Sequence, residues 1–305
     1  MSRLSRGALL FCFACCALLV GQGPARAAMD YVYGYIGHPE DHDNYVYALV
    51  EEALARTRGK WGEYSLRTVP EVPRNRQIRE LEAGGSGDIT MAVLGTAHDI
   101  GKHLRPVAIP VDKGLVGYRA LLIRRADQGR FAAVRTADEL KPFIFGQNFI
   151  WDDVDILKAN GLSVQVGEDF EGLFSMLTRG RFDALPRGLG EINREFAERS
   201  ELYPDMQIER TLLLHYPLPI YFWFSRDPAG ENRAQRLEEG LWSMIGDGSF
   251  DRIFWKYNHA VLQGLDLAHR RVIQLQNPFL PADTPLSDTR LWLSPEQLGV
   301  GAAPR

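Results

Sequence analysis

Residues Glu171 to Gly188 read EGLFSMLTRGRFDALPRG, and this stretch decides the fold because it holds four elements in a row. The apolar residues of its first half fall on one helical face, and Gly180 stands where a left-handed C-terminal cap is expected. The run Phe182 to Leu185 is short and extended, and it ends at the loop sequence Pro-Arg-Gly. The stretch therefore predicts a helix, a tight turn, a buried strand and a loop.

The same order of elements recurs along the chain. An earlier segment, RQIRELEAGGSGDITMAVLGT at 76–96, again predicts a helix, a glycine stop and a strand. It completes a β-α-β-α-β unit that begins at YVYGYIG, residues 31–37, with a first helix capped by Asp43 or Asn44. A second unit of the same order begins at FIFGQNF, residues 143–149. Two such units predict an α/β fold with two parallel-rich sheets.

Two long extended stretches, 113–125 and 212–227, connect these units. Because one leaves the first unit and the other returns to it, we expect a two-lobed clamshell with two crossing hinge strands. The predicted lobe boundaries follow these crossings. Lobe 1 is 28–119 and 220–275, lobe 2 is 120–219, and a proline-rich C-terminal extension is 276–305.

The first 27 residues have the pattern of a cleaved export signal. Basic residues precede an apolar run, and Ala-Arg-Ala at 25–27 suits signal peptidase. All three cysteines lie in this leader, so the exported chain is expected to have no disulfide, even in the oxidising periplasm. The whole chain has 35 basic and 39 acidic residues; the leader removes three arginines and no acid, leaving 32 against 39 and a net charge of −7. This charge disfavours nucleic acid as a partner.

Four segments resemble a known family: LEAGGSGDITMAV, DELKPFIFGQNF, FSMLTRGRFDAL and GDGSFDRIFWKYN. Across about residues 30 to 265 the chain is similar to bacterial extracellular solute-binding proteins of the polar-amino-acid type, with the periplasmic-binding-protein type II fold. The resemblance implies a non-catalytic receptor that closes on a small polar or anionic, amino-acid-like solute. It implies no cofactor, a monomer, and a separate membrane transporter or sensor as partner.

In that family the loop after the third strand carries threonines and an arginine that binds the ligand carboxylate. Thr96 matches this pattern, but the arginine is absent, and His98, Lys102 and Arg105 are the nearest cationic candidates. We expect Arg187 to replace it, because it follows a strand end and precedes a helix N-terminus, although pairing with Glu191 explains it too.

Other candidate ligand contacts stand at or near predicted strand ends. Gln147 and Asn148 could hydrogen-bond a solute or simply cap a helix. Tyr35 and Trp151 could provide aromatic contacts or belong to the core. Arg119, on a crossing strand, could face the cleft or form a structural ion pair.

Three alternative functions stay open at this level. HPEDHD, residues 38–43, could bind a metal ion or could be a solvated loop. An enzyme on the same scaffold, of hydrolase or dehydratase type, could use Glu168, Asp169 or His215. An accessory subunit could bind another protein through apolar residues of the C-terminal extension, such as Leu291 and Trp292.

Overall fold

The computed structural model of the chain describes residues 28–34, 39–70, 72–85, 87–96 and 100–301, without the side chains of 39–44. The described N-terminal part contains β1 (Met29–Gly34), α1 (Pro39–Trp61), β2 (Tyr64–Val69), α2 (Arg74–Glu82), β3 (Ala92–Gly95), α3 (Ile100–His103) and β4 (Arg105–Val107). The middle contains β5 (Tyr118–Arg124), α4 (Gln128–Ala132), β6 (Ile144–Asn148), α5 (Asp153–Ala159), β7 (Ser163–Gly167), α6 (Phe170–Thr178), β8 (Ala184–Gly188) and α7 (Ile192–Arg199). The remainder contains β9 (Met206–Ile208), β10 (Leu212–His215), β11 (Ile220–Phe224), α8 (Pro228–Asp247), α9 (Ser249–Leu262) and β12 (Arg271–Gln274).

The first lobe is built on the N-terminal strands and on β11, which returns from the second crossing. β1 pairs with β2 in parallel, and Met91, just before β3, bridges Tyr33 of β1 in parallel. β11 lies between β3 and β4 and is antiparallel to both. The parallel β1, β2 and β3 follow the predicted order of the first unit.

The core of this lobe lies between its strands and the helices α1, α8 and α9. Helices α1 and α8 approach closely at Gly240, where a β-carbon would lie 2.2 Å from the carbonyl oxygen of Ala53. Any side chain at this position would push the helices apart, so the glycine sets their separation. The structure begins α1 at Pro39, so Asp43 and Asn44 lie within the helix and do not cap it. Proline suits a first helical position because that N–H has no partner inside the helix.

The second lobe contains the seven-stranded sheet, with strand order β12-β10-β5-β8-β6-β7 and β9 paired to β5. β6 is parallel to β7 and β8, as the predicted second unit requires, and β5 is antiparallel to β8. Gly180 has φ +71°, the left-handed conformation expected between α6 and β8. The predicted lobe 1 range includes Arg271–Gln274, whereas this segment, β12, pairs with β10 in the seven-stranded sheet.

The two predicted crossings lie side by side between the lobes. The Tyr216 amide donates to the Gly117 carbonyl at 3.2 Å, and the Val111 amide donates to the Ile220 carbonyl at 2.8 Å. Backbone hydrogen bonds therefore join the two connectors where the chain passes from one lobe to the other.

The C-terminal extension follows this hinge and packs against it. Asn277 donates to the Pro217 carbonyl at 2.9 Å, and Tyr118 donates to the Leu293 carbonyl at 2.9 Å. Leu291 is buried, and the Trp292 ring lies against the backbone of Gly114. The apolar residues that the sequence offered for binding another protein are therefore used within the chain. Among the described residues, no helix combines the length and apolar character needed to cross a bilayer.

Candidate functional site

The loops that follow β3, β6 and β8 meet the hinge between the lobes. Parallel strands of a lobe present their carboxyl ends at one edge of the sheet, and ligand sites in open α/β sheets form at that edge. Arg74, the first residue of α2, spans the two lobes: its Nη1 lies 3.6 Å from Asp152 Oδ2, and its Nη2 donates to the Gly95 carbonyl at 3.3 Å. The β3 loop of the first lobe thereby meets the β6 loop of the second. We identify this seam as the candidate ligand cleft.

Arg187, the predicted anion anchor, lies at the end of β8 but already binds carboxylates. Its Nε and Nη2 donate to the two oxygens of Glu195, both at 2.6 Å, and Nη2 lies 3.1 Å from Glu191 Oε2. The rings of Trp151 and Phe170 are within 4.4 and 5.5 Å of the guanidinium carbon. Burial lowers the pKa of Arg187, and the two carboxylates offset this, so that the pKa is raised overall.

Arg119 forms a second buried ion pair beside the hinge. Its Nη2 lies 2.8 Å from Asp153 Oδ1, and its Nε donates to the Tyr216 hydroxyl at 3.1 Å. The Tyr216 hydroxyl in turn donates to Asp153. Burial lowers the pKa of Arg119, but the nearby Asp153 carboxylate raises it overall. Burial is also the main reason why the pKa of Tyr216 is raised, so this residue acts as a neutral donor.

Glu191 joins these two ion pairs. Its Oε2 accepts from the Gly188 amide at 3.1 Å and lies 3.1 Å from Arg187 Nη2 and 4.0 Å from Arg119 Nη1. A β-carbon at Gly188 would lie 3.1 Å from the Glu191 oxygen and 3.2 Å from Arg119 Nη1. The predicted Pro-Arg-Gly loop belongs to β8, and its last residue, Gly188, leaves the space in which carboxylate and guanidinium approach.

These charges form a network with more acids than bases. We call it the cleft charge network and define it by five residues: Glu195, Arg187, Glu191, Arg119 and Asp153. The network contains two guanidiniums and three carboxylates, so its formal charge is −1 when every acid is ionised. Arg74 and Asp152 form a further pair beside it and leave this balance unchanged.

Gln147 and Asn148 end β6 in different environments. Gln147 is completely buried, and neither amide atom has a hydrogen-bond partner among the described residues. Asn148 donates to the Glu168 carbonyl at 3.3 Å and accepts from the Ile150 amide at 3.2 Å. Asn148 thus shapes the turn after β6 but does not cap α5, whose N-cap residue is Asp152. The Gln147 amide has no partner among the described residues.

Thr96 lies on the first-lobe side of the seam. Its amide donates to the Pro219 carbonyl of the hinge at 3.3 Å, and its buried hydroxyl has no partner in the described part of the chain. Tyr35 and His98 lie outside the described residues. Arg105 binds Glu231 and Glu238 and lines a separate cavity of about 500 Å³, as does Lys102.

Sequence reasoning passed over Arg74, Glu195 and Asp153 as site residues. Arg74 could have been found, because it opens a helix directly after a predicted strand. Glu195 could have been found from its spacing, since Arg187, Glu191 and Glu195 follow one another every four residues. Asp153 is 34 positions from Arg119, and the sequence carries no signal for that pair.

The described side chains contain no group of three or more histidine, cysteine or acidic residues that could hold a metal ion. The side chains of HPEDHD, residues 38–43, lie outside the described set, so metal binding by this segment stays a prediction.

Comparison with models of protein families and with curated proteins gives no match. Solved structures do match. An ABC transporter binding component from Wolinella succinogenes DSM 1740, complexed with lysine, is 15% identical with a TM-score of 0.52, over 75% of this chain and 95% of that one. An ancestral arginine-binding protein bound to arginine is 15% identical with a TM-score of 0.51, over 76% of this chain and 99% of that one.

The GluR0 ligand-binding core with L-glutamate is 12% identical with a TM-score of 0.50, over 77% of this chain and 99% of that one. At such identities the similarity concerns the fold. The chain has the two-lobed fold of periplasmic solute-binding proteins.

Proposed function

We propose that this protein is a solute-binding receptor whose two lobes close on a small polar, amino-acid-sized molecule. The observation that carries the proposal is a pair of buried polar groups, one from each lobe, that have no hydrogen-bond partner among the described residues. The Thr96 hydroxyl comes from the first lobe and the Gln147 amide from the second, and both are buried. A buried polar group without a partner costs about 1 to 3 kcal/mol, so a solute that hydrogen-bonds both would stabilise the closed arrangement.

The solved structures support a ligand of this size. The molecules bound in them are lysine, arginine and L-glutamate. These molecules differ in charge, so the comparison favours an amino-acid-like solute and leaves its charge open.

The predicted contacts divide into two groups under this proposal. Thr96, Gln147 and Trp151 would contact the solute directly. Thr96 and Gln147 have buried polar atoms without a partner among the described residues, and Trp151 precedes Asp152 of the seam. Arg187 and Arg119 would act mainly by holding carboxylates in position, since both guanidiniums are already ion-paired. Asn148 and Tyr35 stay predicted contacts.

Two of the three residues considered for an enzyme, Asp169 and His215, have structural roles. Asp169 accepts from the Gly172 amide at 2.7 Å and caps α6. His215 stacks on Tyr118 with ring centroids 4.1 Å apart and hydrogen-bonds Gln274 at 2.8 Å. These interactions favour a binding protein over a catalyst.

The leader and the fold together suggest where the receptor works. Residues 1–27 lie outside the described residues, so export to the periplasm rests on their sequence pattern. A periplasmic receptor that closes on a solute would deliver it to a membrane transporter or sensor, which a separate chain would provide.

Small-angle X-ray scattering of the exported chain, with and without candidate amino acids and amines, tests this function. A ligand that closes the lobes should lower the radius of gyration at saturating concentration. The variant Thr96→Val, which keeps the side-chain shape but removes the hydroxyl, should bind that ligand more weakly. Unchanged scattering across the panel, together with no small molecule found by native mass spectrometry, would refute the receptor function.

A further inference from the structure

We infer that the solute carries a positively charged group, an ammonium or a guanidinium, and that Glu191 is the carboxylate that receives it. The inference rests on the proposed function, because it assigns the charge of the ligand in the same cleft. From the sequence we expected a polar or anionic solute with Arg187 as its anchor, and the cationic group inferred from the structure replaces that expectation.

The first step is the charge balance of the cleft charge network. Each of its three carboxylates lies within 4.0 Å of at least one of its two guanidiniums. A singly charged cation brings the formal charge of the network to zero, whereas a singly charged anion brings it to −2. Charges interact most strongly where water is excluded, so lobe closure increases the preference for a cation.

The second step is the state of the two arginines. Arg187 gives two donors to Glu195 and is enclosed between aromatic rings, while Arg119 is shared by Asp153 and Tyr216. A carboxylate ligand would have to break these short ion pairs to obtain a guanidinium. A cation can approach the carboxylates while Arg187 keeps Glu195 and Arg119 keeps Asp153.

The third step singles out Glu191 among the acids. Its side chain is 36% exposed, whereas the side chains of Asp153 and Glu195 are 9% and 7% exposed. Its nearest contact with an arginine, at 3.1 Å, is longer than the nearest contact of Asp153, at 2.8 Å, and that of Glu195, at 2.6 Å. Glu191 can therefore turn toward a ligand at the least cost to the network.

An independent observation points to a ligand on the Arg119 side of the sheet. Successive side chains of β6 alternate between the faces of the sheet, so Gln147 shares a face with Phe145. Phe145 packs in one cluster with Leu121 of β5, and Leu121 is on the same face as Arg119. The unpartnered Gln147 amide thus lies on the Arg119 side of the sheet, where its oxygen can accept from a ligand N–H.

Isothermal titration calorimetry of the exported chain at pH 7.5 tests the inference with L-arginine, L-lysine, putrescine, L-glutamine and L-glutamate. The cationic probes should include the tightest ligand, at least about tenfold tighter than L-glutamate. Glu191→Gln should weaken that ligand about tenfold or more, and Glu191→Asp should retain part of the affinity.

Glu239→Gln is the matched control, because it removes the same charge from a glutamate that binds Lys60 and Trp61 at the far end of α1. It should leave affinity unchanged, and thermal melting verifies that each variant is folded. Tightest binding of L-glutamate or L-glutamine, or unchanged cation affinity in Glu191→Gln, would overturn the cation assignment while the receptor function stands. Binding of no probe would overturn the cation assignment, and if no small molecule co-purifies either, the receptor function fails with it.

Discussion

The ion pair between Arg187 and Glu195 gives the most direct test of how the cleft is built. Nε–Oε2 and Nη2–Oε1 are both 2.6 Å, and the two side chains are almost fully buried. Glu195→Gln keeps the size of the side chain but removes its charge and turns one oxygen into a donor. That amide nitrogen would face a guanidinium N–H, so one hydrogen bond is lost and the arginine loses its main counter-charge.

The expected cost follows from the burial and from the remaining neighbour. Removing one partner of a buried ion pair costs about 3 to 5 kcal/mol, because the other charge is left buried without compensation. Glu191 lies 3.1 Å from Arg187 Nη2 and keeps part of the compensation. We therefore expect a loss of about 3 kcal/mol, at the lower end of that range.

Urea unfolding followed by tryptophan fluorescence and circular dichroism measures this loss as a change in the free energy of unfolding. Glu198→Gln on the same helix is the control; its side chain is exposed, and the change should be below about 0.5 kcal/mol. The double variant Arg187→Met with Glu195→Leu should be much more stable than the sum of the single losses predicts, because no charge is left buried. A loss below about 0.5 kcal/mol for Glu195→Gln, or strictly additive losses in the double variant, would refute the reasoning.

Three further predictions concern packing and the hinge. Gly240→Ala should lower the free energy of unfolding, measured by calorimetric melting, by about 1 to 3 kcal/mol, because its β-carbon would lie 2.2 Å from the Ala53 oxygen. The control Gly246→Ala should lower it far less, because a β-carbon there would have no atom within 4 Å. Trp292→Ala should lower the free energy of unfolding in urea by about 2 kcal/mol, because the half-buried ring fastens the C-terminal extension to the hinge. Burial lowers the pKa of His215 below its unfolded value of 6.5, so the unfolded chain takes up the proton at a higher pH than the folded chain does. The free energy of unfolding should therefore fall as the pH drops below about 6.5. Thermal melting at several pH values should show a smaller fall for His215→Asn.

Local patterns in the sequence were sufficient to predict the architecture. The helix and the strand predicted within 171–188 are present as α6 and β8, and the glycine stop at Gly180 has the expected positive φ. Apolar periodicity and glycine caps act within a few residues, so a single sequence displays them. The short strands β4, β9 and β12, of three or four residues, have too few positions to show a period.

The composition of the site was less accessible, because it depends on contacts distant in the chain. Arg187 was predicted at a strand end and lies at the end of β8, and pairing with Glu191 was one of its two interpretations. The sequence did not show that Glu195 binds it with both oxygens. The pair Arg119–Asp153 and its link to Tyr216 join three segments that only the folded sheet and hinge bring together. Strand ends in the sequence locate candidate residues. Which charged residues come together, and hence the net charge of the group, is known only from the structure.

The contact between Arg74 and Asp152 explains why closure should depend on a ligand. The atoms are 3.6 Å apart, and about a third of each side chain is exposed, so the pair contributes at most about 1 kcal/mol. Shifting two conformations from 1:99 to 99:1 requires about 5.5 kcal/mol, which this bridge cannot supply. Under the proposed function, the remainder comes from a solute that pairs with Glu191 and hydrogen-bonds Gln147 and Thr96. The lobes then meet firmly only when the negative charge of the cleft charge network is neutralised, so that binding and closure become a single event.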